Sequence, residues 1–434
     1  MYQRLIQSYP YPFYLLSLSM LLVGMPLSRA LMSIGMGVMV FSALTEGRRE
    51  DKIRRLKRRP YAVWFAGFAL VFVLSLAYSE NAQGAYSLLL MYAPVLIIPI
   101  GVAVFPPLPV IWRKRLVQLF IIACLTATVL SMGMGLIESI NAGQAFAFKY
   151  FYYTQLTSYL QLHPAYFTLF LGLAIWGQFW WVGEQIRATQ KVNWYLTAIL
   201  SLWLLTFMVL LASRMQLLAF LLVSGVAGFF YLYRLKLLLQ GGIVASVLLL
   251  MGVALIMASP NASKRMQGMF DKQAFTQDTH ISNSSITIRR AIWGASWEVF
   301  LQNPVLGTGI ADVQSDLQAQ YHVDEYEYGA SRRLGPHSAY WATVLATGIL
   351  GLIYLFLLFG FGAWLSWQKQ NPLYLAVLIF FGLSSLTESM LSRQWGIVFF
   401  ALTTALMLFG GIGQLAQKGS KPVSLPGHKV SPAR

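Results

Sequence analysis

The stretch that decides the fold is residues 337–352, His337-Ser338-Ala339-Tyr340-Trp341-Ala342-Thr343-Val344-Leu345-Ala346-Thr347-Gly348-Ile349-Leu350-Gly351-Leu352. It closes a long polar interruption and opens an apolar run. From Ser259 to Pro336 the hydrophobic pattern stops and a mixed, charged segment intervenes. On either side of that segment, apolar stretches of about 17–25 residues recur, the length that carries an α-helix across a bilayer. The chain therefore reads as an all-α integral membrane protein with one sizeable loop. A titratable group, His337, stands where the chain returns to the membrane.

Composition agrees. Of the 434 residues, 57% are hydrophobic and 11% charged, with a mean hydropathy of +0.60. Soluble domains carry roughly 25% charged residues, so most of this surface does not face water. The net charge of +17 raises nucleic acid as a partner. The basic residues, however, are spread over connections between apolar runs, where they set topology and meet anionic headgroups. No nucleic-acid partner is expected. The one cysteine, Cys124, lies inside an apolar run and excludes an intramolecular disulfide. No Cys/His cluster has zinc spacing, and neither metal nor cofactor is expected. No A-x-A-like cleavage site follows the first apolar segment, which reads as a retained helix.

About twelve spans are expected, near 12–25, 29–45, 61–78, 86–105, 116–139, 161–182, 193–212, 215–233, 241–258, 337–358, 373–389 and 395–413. They divide the chain into membrane helices over 1–258, a loop domain over 259–336, further membrane helices over 337–413 and a tail over 414–434. The segment Gly47–Pro60 holds Arg48, Arg49, Lys52, Arg54, Arg55, Lys57, Arg58 and Arg59, and a short loop so rich in cations faces the cytoplasm. Counting from it, Arg113, Lys114, Arg115, Arg187, Lys191, Arg234, Lys236, Lys369 and the basic tail also fall inside. The opposite connection Ser79–Ala85 carries Glu80 and no base. The long loop then lies outside, in the periplasm of a Gram-negative cell.

The topology rule leaves some cations unexplained, because they fall outside: Arg29, Lys149, Arg214, Arg393, and in the loop Lys264, Arg265, Lys272, Arg289, Arg290, Arg332 and Arg333. Each singly has a bland reading, a side chain snorkelling to the headgroups. As a group they point to a shared anionic ligand, since ionisable groups at membrane spans are costly. Within the loop, Ser285–Leu301 places Arg289, Trp293, Ser296 and Phe300 on one helical face. Ser284 or Ser285 serves as N-cap and Asn303-Pro304 ends the helix. Such a helix is expected to lie in the outer interface, with Arg289 pointing along the membrane surface. Gly307-Thr308-Gly309 reads as a turn, with neither the preceding strand nor the lysine of a phosphate loop. Asp312, Asp316, Asp324, Glu325 and Glu327 match no EF-hand spacing and read as solvated acids.

Gly335-Pro336 allows a sharp entry into a helix at His337. Gly348 and Gly351 then let another helix approach closely. Alone, His337 would be an interfacial histidine satisfied by water. Topology brings Arg214, His163, Arg29, Glu388 and Arg393 to the same outer level, although an ion pair of Glu388 with Arg393 would remove both. Several arginines without a metal motif suit a diphosphate held by charge, and the planar guanidinium matches it. The surrounding lipid implies a ligand with a long hydrocarbon chain.

These residues resemble the superfamily of O-antigen ligases and polymerases. His337-Ser338, followed at its spacing by Gly348 and Gly351, is similar to the ligase pattern of His, then Asn, Ser or Gln, with Gly and then Gly, Thr or Tyr downstream. Ser213-Arg214 resembles that family's periplasmic arginine between spans. Arg289-Arg290, Trp293 and Asn303-Pro304-Val305-Leu306-Gly307-Thr308-Gly309 resemble its long-loop segment, and His163-Pro164-Ala165-Tyr166-Phe167 a segment of some members. The resemblance implies a metal-independent, inverting glycosyltransferase of the GT-C type in the bacterial inner membrane. It implies an undecaprenyl-diphosphate-linked glycan as donor and a lipid A–core sugar as acceptor. Arg214 and Arg289 would hold the diphosphate and His337 would activate the acceptor or position the phosphate. Arg290, Arg29, His163 and Arg393 would contribute to binding. A polymerase joining lipid-linked repeats has the same outline. A lipid-linked oligosaccharide transporter is disfavoured, because transporters place charged or broken-helix sites near mid-membrane and these charges sit at outer span ends.

Overall fold

Several of the described helices start where the sequence supplies a capping side chain or a proline. The computed structural model describes residues 9–81, 85–234 and 285–413. The span expected at 241–258, the loop cations Lys264, Arg265 and Lys272, and the tail beyond residue 413 lie outside the described residues. The helices are α1 (Pro12–Leu27), α2 (Arg29–Thr45), α3 (Arg49–Lys57), α4 (Pro60–Ser75), α5 (Ala85–Ala103), α6 (Val110–Asn141) and α7 (Pro164–Arg187). They continue with α8 (Trp194–Leu210), α9 (Arg214–Arg234), α10 (Ser285–Gln302), α11 (Val313–Val323), α12 (Ala339–Gln368), α13 (Pro372–Ser384) and α14 (Gln394–Leu408). Among the described residues there is no β-strand.

Ser28 shows how tightly the first hairpin is made. Its N–H closes α1 on the Gly24 carbonyl at 2.8 Å, and its Oγ accepts from the Leu31 N–H of α2 at 3.3 Å, serving as C-cap and N-cap at once. α1 packs on α2 and α6, α5 lies between α4 and α14, and α12 packs on α4 and α13. A helix stands at every expected segment within the described residues. Four of them, Pro60–Tyr78, Val110–Asn141, Pro164–Arg187 and Ala339–Gln368, are long and apolar enough to cross a membrane alone, five if α2 and α3 count as one bent span. The other apolar stretches, Ser87–Ala103 and Arg214–Phe229 among them, are of 10–17 residues, at most about 26 Å at 1.5 Å per residue. The protein is thus a helical membrane protein, and the count of about twelve crossings is a reading of the apolar runs.

The basic segment Gly47–Pro60, expected as a loop, holds helix α3, turned 111° from α2. Part of its charge faces inward. Lys52 Nζ donates to Ala43 O at 2.6 Å, Arg55 Nη1 to Val104 O at 3.2 Å, and Arg59 Nη1 to Ala103 O and Phe105 O at 2.8 and 2.9 Å. Lys369 Nζ reaches Leu408 O at 2.6 Å. Cations here meet the negative, unsatisfied carbonyl ends of α2, α5 and α14. The opposite end of α14 begins at Arg393. The two ends of one helix therefore mark two chemically different faces of the bundle.

The described part of the long loop, residues 285–336, is a structured arm. α10 and α11 share a small core of Ile292, Ala295, Val299, Leu317, Tyr321, Tyr326 and Leu345. The expected helix is present, with protein on one side of it. It packs against α11 and α12, and Arg289 turns inward. Two further expectations change. α12 begins at Ala339 with Ser338 as N-cap, not at His337. And Asp312, read as a solvated acid, is 6% exposed; its carboxylate accepts from the Glu80 and Asn81 N–H groups at 2.7 and 2.8 Å. Asp324, Glu325 and Glu327 are exposed as expected.

Candidate active site

His337 sits just before α12 with a left-handed backbone, φ 47°, which a non-glycine residue adopts only under local constraint. The constraint is visible on both sides. The Trp293 Nε1–H of α10 donates to the Pro336 carbonyl at 3.2 Å. On the other side the Ala339 N–H and the Ser338 hydroxyl donate to Ser385 O at 2.9 and 3.3 Å. The histidine is thus clamped between the loop arm and the end of α13, ahead of the helix that was expected to begin at it.

Four charged or titratable groups share its surroundings. Burial first, then the charges of Arg289 and Arg393, hold the His337 imidazole down at about 4 from an ordinary 6.5. His163 is likewise held at about 4, by burial, then Arg393, His337 and Arg289. Glu388, 9% exposed, is pushed above the usual carboxylate range by burial, with Arg393 and Arg289 pulling the other way. Burial lowers the Arg289 guanidinium, and Glu388 and Tyr153 oppose the shift. The Arg289 Nε–H donates to Thr387 O at 3.3 Å. Among the described residues Glu388 and Arg393 form no ion pair within 4.0 Å, so the simple pairing considered from the sequence does not remove them. At neutral pH both histidines are uncharged and two arginines dominate the local field.

His163 differs from His337 in its chemistry. Its Nδ1 accepts the Ala165 N–H at 3.3 Å, capping α7. The neutral ring must then carry its proton on Nε2, so His163 offers a donor and is not the base.

Arg29 is exposed and lies at the rim. Its Nη2–H donates to Gln161 Oε1 at 2.9 Å, and its guanidinium lies 4.8 Å from the centre of Trp395. Trp395 adjoins Tyr166 at 5.9 Å, which adjoins His163 at 6.0 Å. Arg214 is the first residue of α9, half-buried. In the same turn Gln216 Nε2–H donates to Ser384 O at 3.4 Å, which ties Arg214's helix end to the α13 terminus that precedes Thr387 and Glu388. Arg290 is exposed and is not among the charges acting on either histidine. Lys149, Arg332 and Arg333 are also exposed.

Sequence reasoning missed Tyr153, whose backbone is left-handed (φ 53°) and whose charge environment is shared with Arg289. The aromatic run from Phe146 to Tyr153 was the available signal, but nothing in it indicates which ring faces the site. Among the described residues no group of three His, Cys, Asp or Glu side chains is placed to hold a metal ion.

Arginines and uncharged histidines thus gather where apolar helices begin, in a helical protein with spans fit to cross a membrane. Residues 199–356 match the family model of the O-antigen ligases. That segment, which contains Arg214, Arg289, His337, Gly348 and Gly351, is similar to the O-antigen ligase family. A search of curated proteins finds no match.

Proposed function

We propose that the protein is an O-antigen ligase. It transfers a glycan from undecaprenyl diphosphate to a sugar hydroxyl of lipid A–core at the periplasmic face of the inner membrane. The observation that carries this reading is the neutral His337 of the matched segment, held in the field of Arg289 and Arg393. The acceptor oxygen bonds to the anomeric carbon from the face opposite the donor oxygen, and the bond to the diphosphate breaks. The anomeric centre inverts and undecaprenyl diphosphate departs with the electron pair. Arg289, Arg393 and Arg214 stabilise the charge on the leaving group. His337 takes the acceptor's proton. An imidazole at about 4 is a weak base, but the bound diphosphate offsets the two arginines that depress it. Burial, the larger cause, stays in place, so donor arrival raises its basicity only by the arginines' share. His163 donates from Nε2 to a phosphate oxygen, and Arg29 guides the donor at the rim.

The test is deletion of the gene followed by gel analysis of lipopolysaccharide, with purified protein assayed in EDTA. Loss of every glycan-capped species, and transfer that persists in EDTA, are the expected results. A single repeat unit left on the core would make the protein a polymerase. Unchanged surface glycan would refute both, and donor trapped on the cytoplasmic leaflet would indicate a transporter.

A further inference from the structure

We infer that the turn Asn303–Gly309 is spliced into the break of α12 and serves as the positioning joint that sets Arg289 against His337. α12 is interrupted at Gly348, whose backbone is at φ 63°, ψ −169°. In an unbroken helix the Ile349 N–H would donate to the Leu345 carbonyl. Here both groups pair with the turn instead. The Thr308 N–H donates to Leu345 O at 2.8 Å, and the Ile349 N–H to Pro304 O at 2.9 Å. The turn itself is closed by the Gly307 N–H on Asn303 O at 2.9 Å. The break thus leaves no orphaned backbone group at these positions, which a helix end inside a membrane protein would otherwise cost.

Two glycines make the approach possible. A Cβ on Gly348 would overlap the Val305 carbonyl. One on Gly307 would overlap Leu345 O and stand 2.6 Å from Gly348 N. The sequence pattern suggested a glycine face for a neighbouring helix; what approaches is the loop arm's own backbone.

The joint connects two rods. α10 runs back from the turn to Arg289, and the upper part of α12 runs back from Gly348 to His337. The rods touch again where Trp297 meets Trp341 at 6.4 Å and where Trp293 bonds Pro336. The turn is also braced to the end of α4. Tyr78 Oη–H donates to Leu306 O at 2.5 Å, and the Ile310 N–H to Ser75 Oγ at 3.2 Å. From turn to Arg289 is roughly 20 Å of helix at 1.5 Å per residue. A tilt of about 10° at the joint would move Arg289 by about 3 Å, where about 1 Å of misplacement costs on the order of a hundredfold in rate.

The inference rests on the ligase reading only in its kinetic arm. The structural arm uses full-length protein in nanodiscs, with spin labels at Glu298→Cys and Leu350→Cys in a Cys124→Ala background. The parent should give one narrow distance distribution. Gly307→Asn keeps the left-handed backbone accessible but adds a Cβ, so it separates close approach from conformation. It should broaden the distribution. If Gly307→Asn fails to insert, Tyr78→Phe combined with Ser75→Ala removes the brace and should broaden it instead. An unchanged distribution in the variant measured overturns the joint. In the kinetic arm, the variant should lose about tenfold or more in transfer rate, and the acid limb of its pH profile should move up as Arg289 leaves His337. A broadened distance with an unmoved acid limb overturns the positioning role. A parent without transfer activity overturns the ligase reading and leaves the distance arm intact.

Discussion

Replacing Arg289 tests the site most directly. Its guanidinium is buried enough to be shifted, its Nε is committed to Thr387 O at 3.3 Å, and Glu388 partly balances its charge. One charge pair about 4 Å apart is worth about 4 kcal/mol at an effective dielectric of about 20. Halving this for the hydration the diphosphate gives up leaves about 2 kcal/mol, or about thirtyfold. Loss of a preorganised charge-stabilising donor costs about 10²–10³ in other enzymes. Arg289→Ala should therefore lower kcat/KM by about 30- to 1000-fold. It also leaves Glu388 with Arg393 as its remaining offsetting cation, so the carboxyl should rise further. Arg289→Lys keeps the charge and loses the planar fork and the Thr387 bond, a loss of about 1 kcal/mol and about tenfold or less. The assay is transfer from a synthetic lipid-linked diphosphate glycan to lipid A–core, normalised to inserted protein. Transfer by Arg289→Ala within about threefold of the parent would refute the reasoning. So would equal losses for Ala and Lys, since charge would then not be what matters.

With His337 and His163 held at about 4, kcat/KM should stay level from neutrality down to about pH 5, and its acid limb should lie below that of kcat, because bound diphosphate raises His337. The same lowered values mean that, as pH falls from about 6.5 toward 4, the unfolded chain binds protons the native site refuses; thermal stability in detergent should decline over that interval, and a flat profile would contradict the burial of the two rings. Asp312→Ala removes two charge-assisted contacts to Glu80 and Asn81 and should cost about 2–4 kcal/mol, read as a lower melting temperature, with Asp312→Asn milder. Arg290→Ala should leave kcat/KM within about threefold of the parent, because that side chain is exposed and outside the histidines' field; a hundredfold loss would place the ligand on the other side of α10.

What was legible in the sequence was whatever depends on local order. Apolar length specified the helices, the period of Ser285–Leu301 located α10, the clustering of basic residues marked one face, and the spacing of His337, Gly348 and Gly351 pointed to a family. What was not legible depends on contacts between distant residues. The apolar run was expected to turn helical at His337, but Ser338 takes the cap and its hydroxyl donates to Ser385 O, which leaves the histidine left-handed outside the helix. An amphipathic pattern cannot tell a lipid-facing helix from one packed on protein, so Arg289 was expected along the membrane and is found beside Thr387. Acid spacing alone could not show Asp312 holding two backbone amides some 230 residues away in the chain. Gly348 was legible as a close approach, yet its partner, the carbonyl of Val305, was not. By itself the sequence determined a helical membrane chain with unexplained cations at one end of it. Only the tertiary structure decided that Arg289, Arg393, Glu388, His163 and His337 share one field, because that depends on how the loop arm folds back onto α12, and hydrogen bonds such as Ile349 to Pro304 leave no periodic trace in the chain.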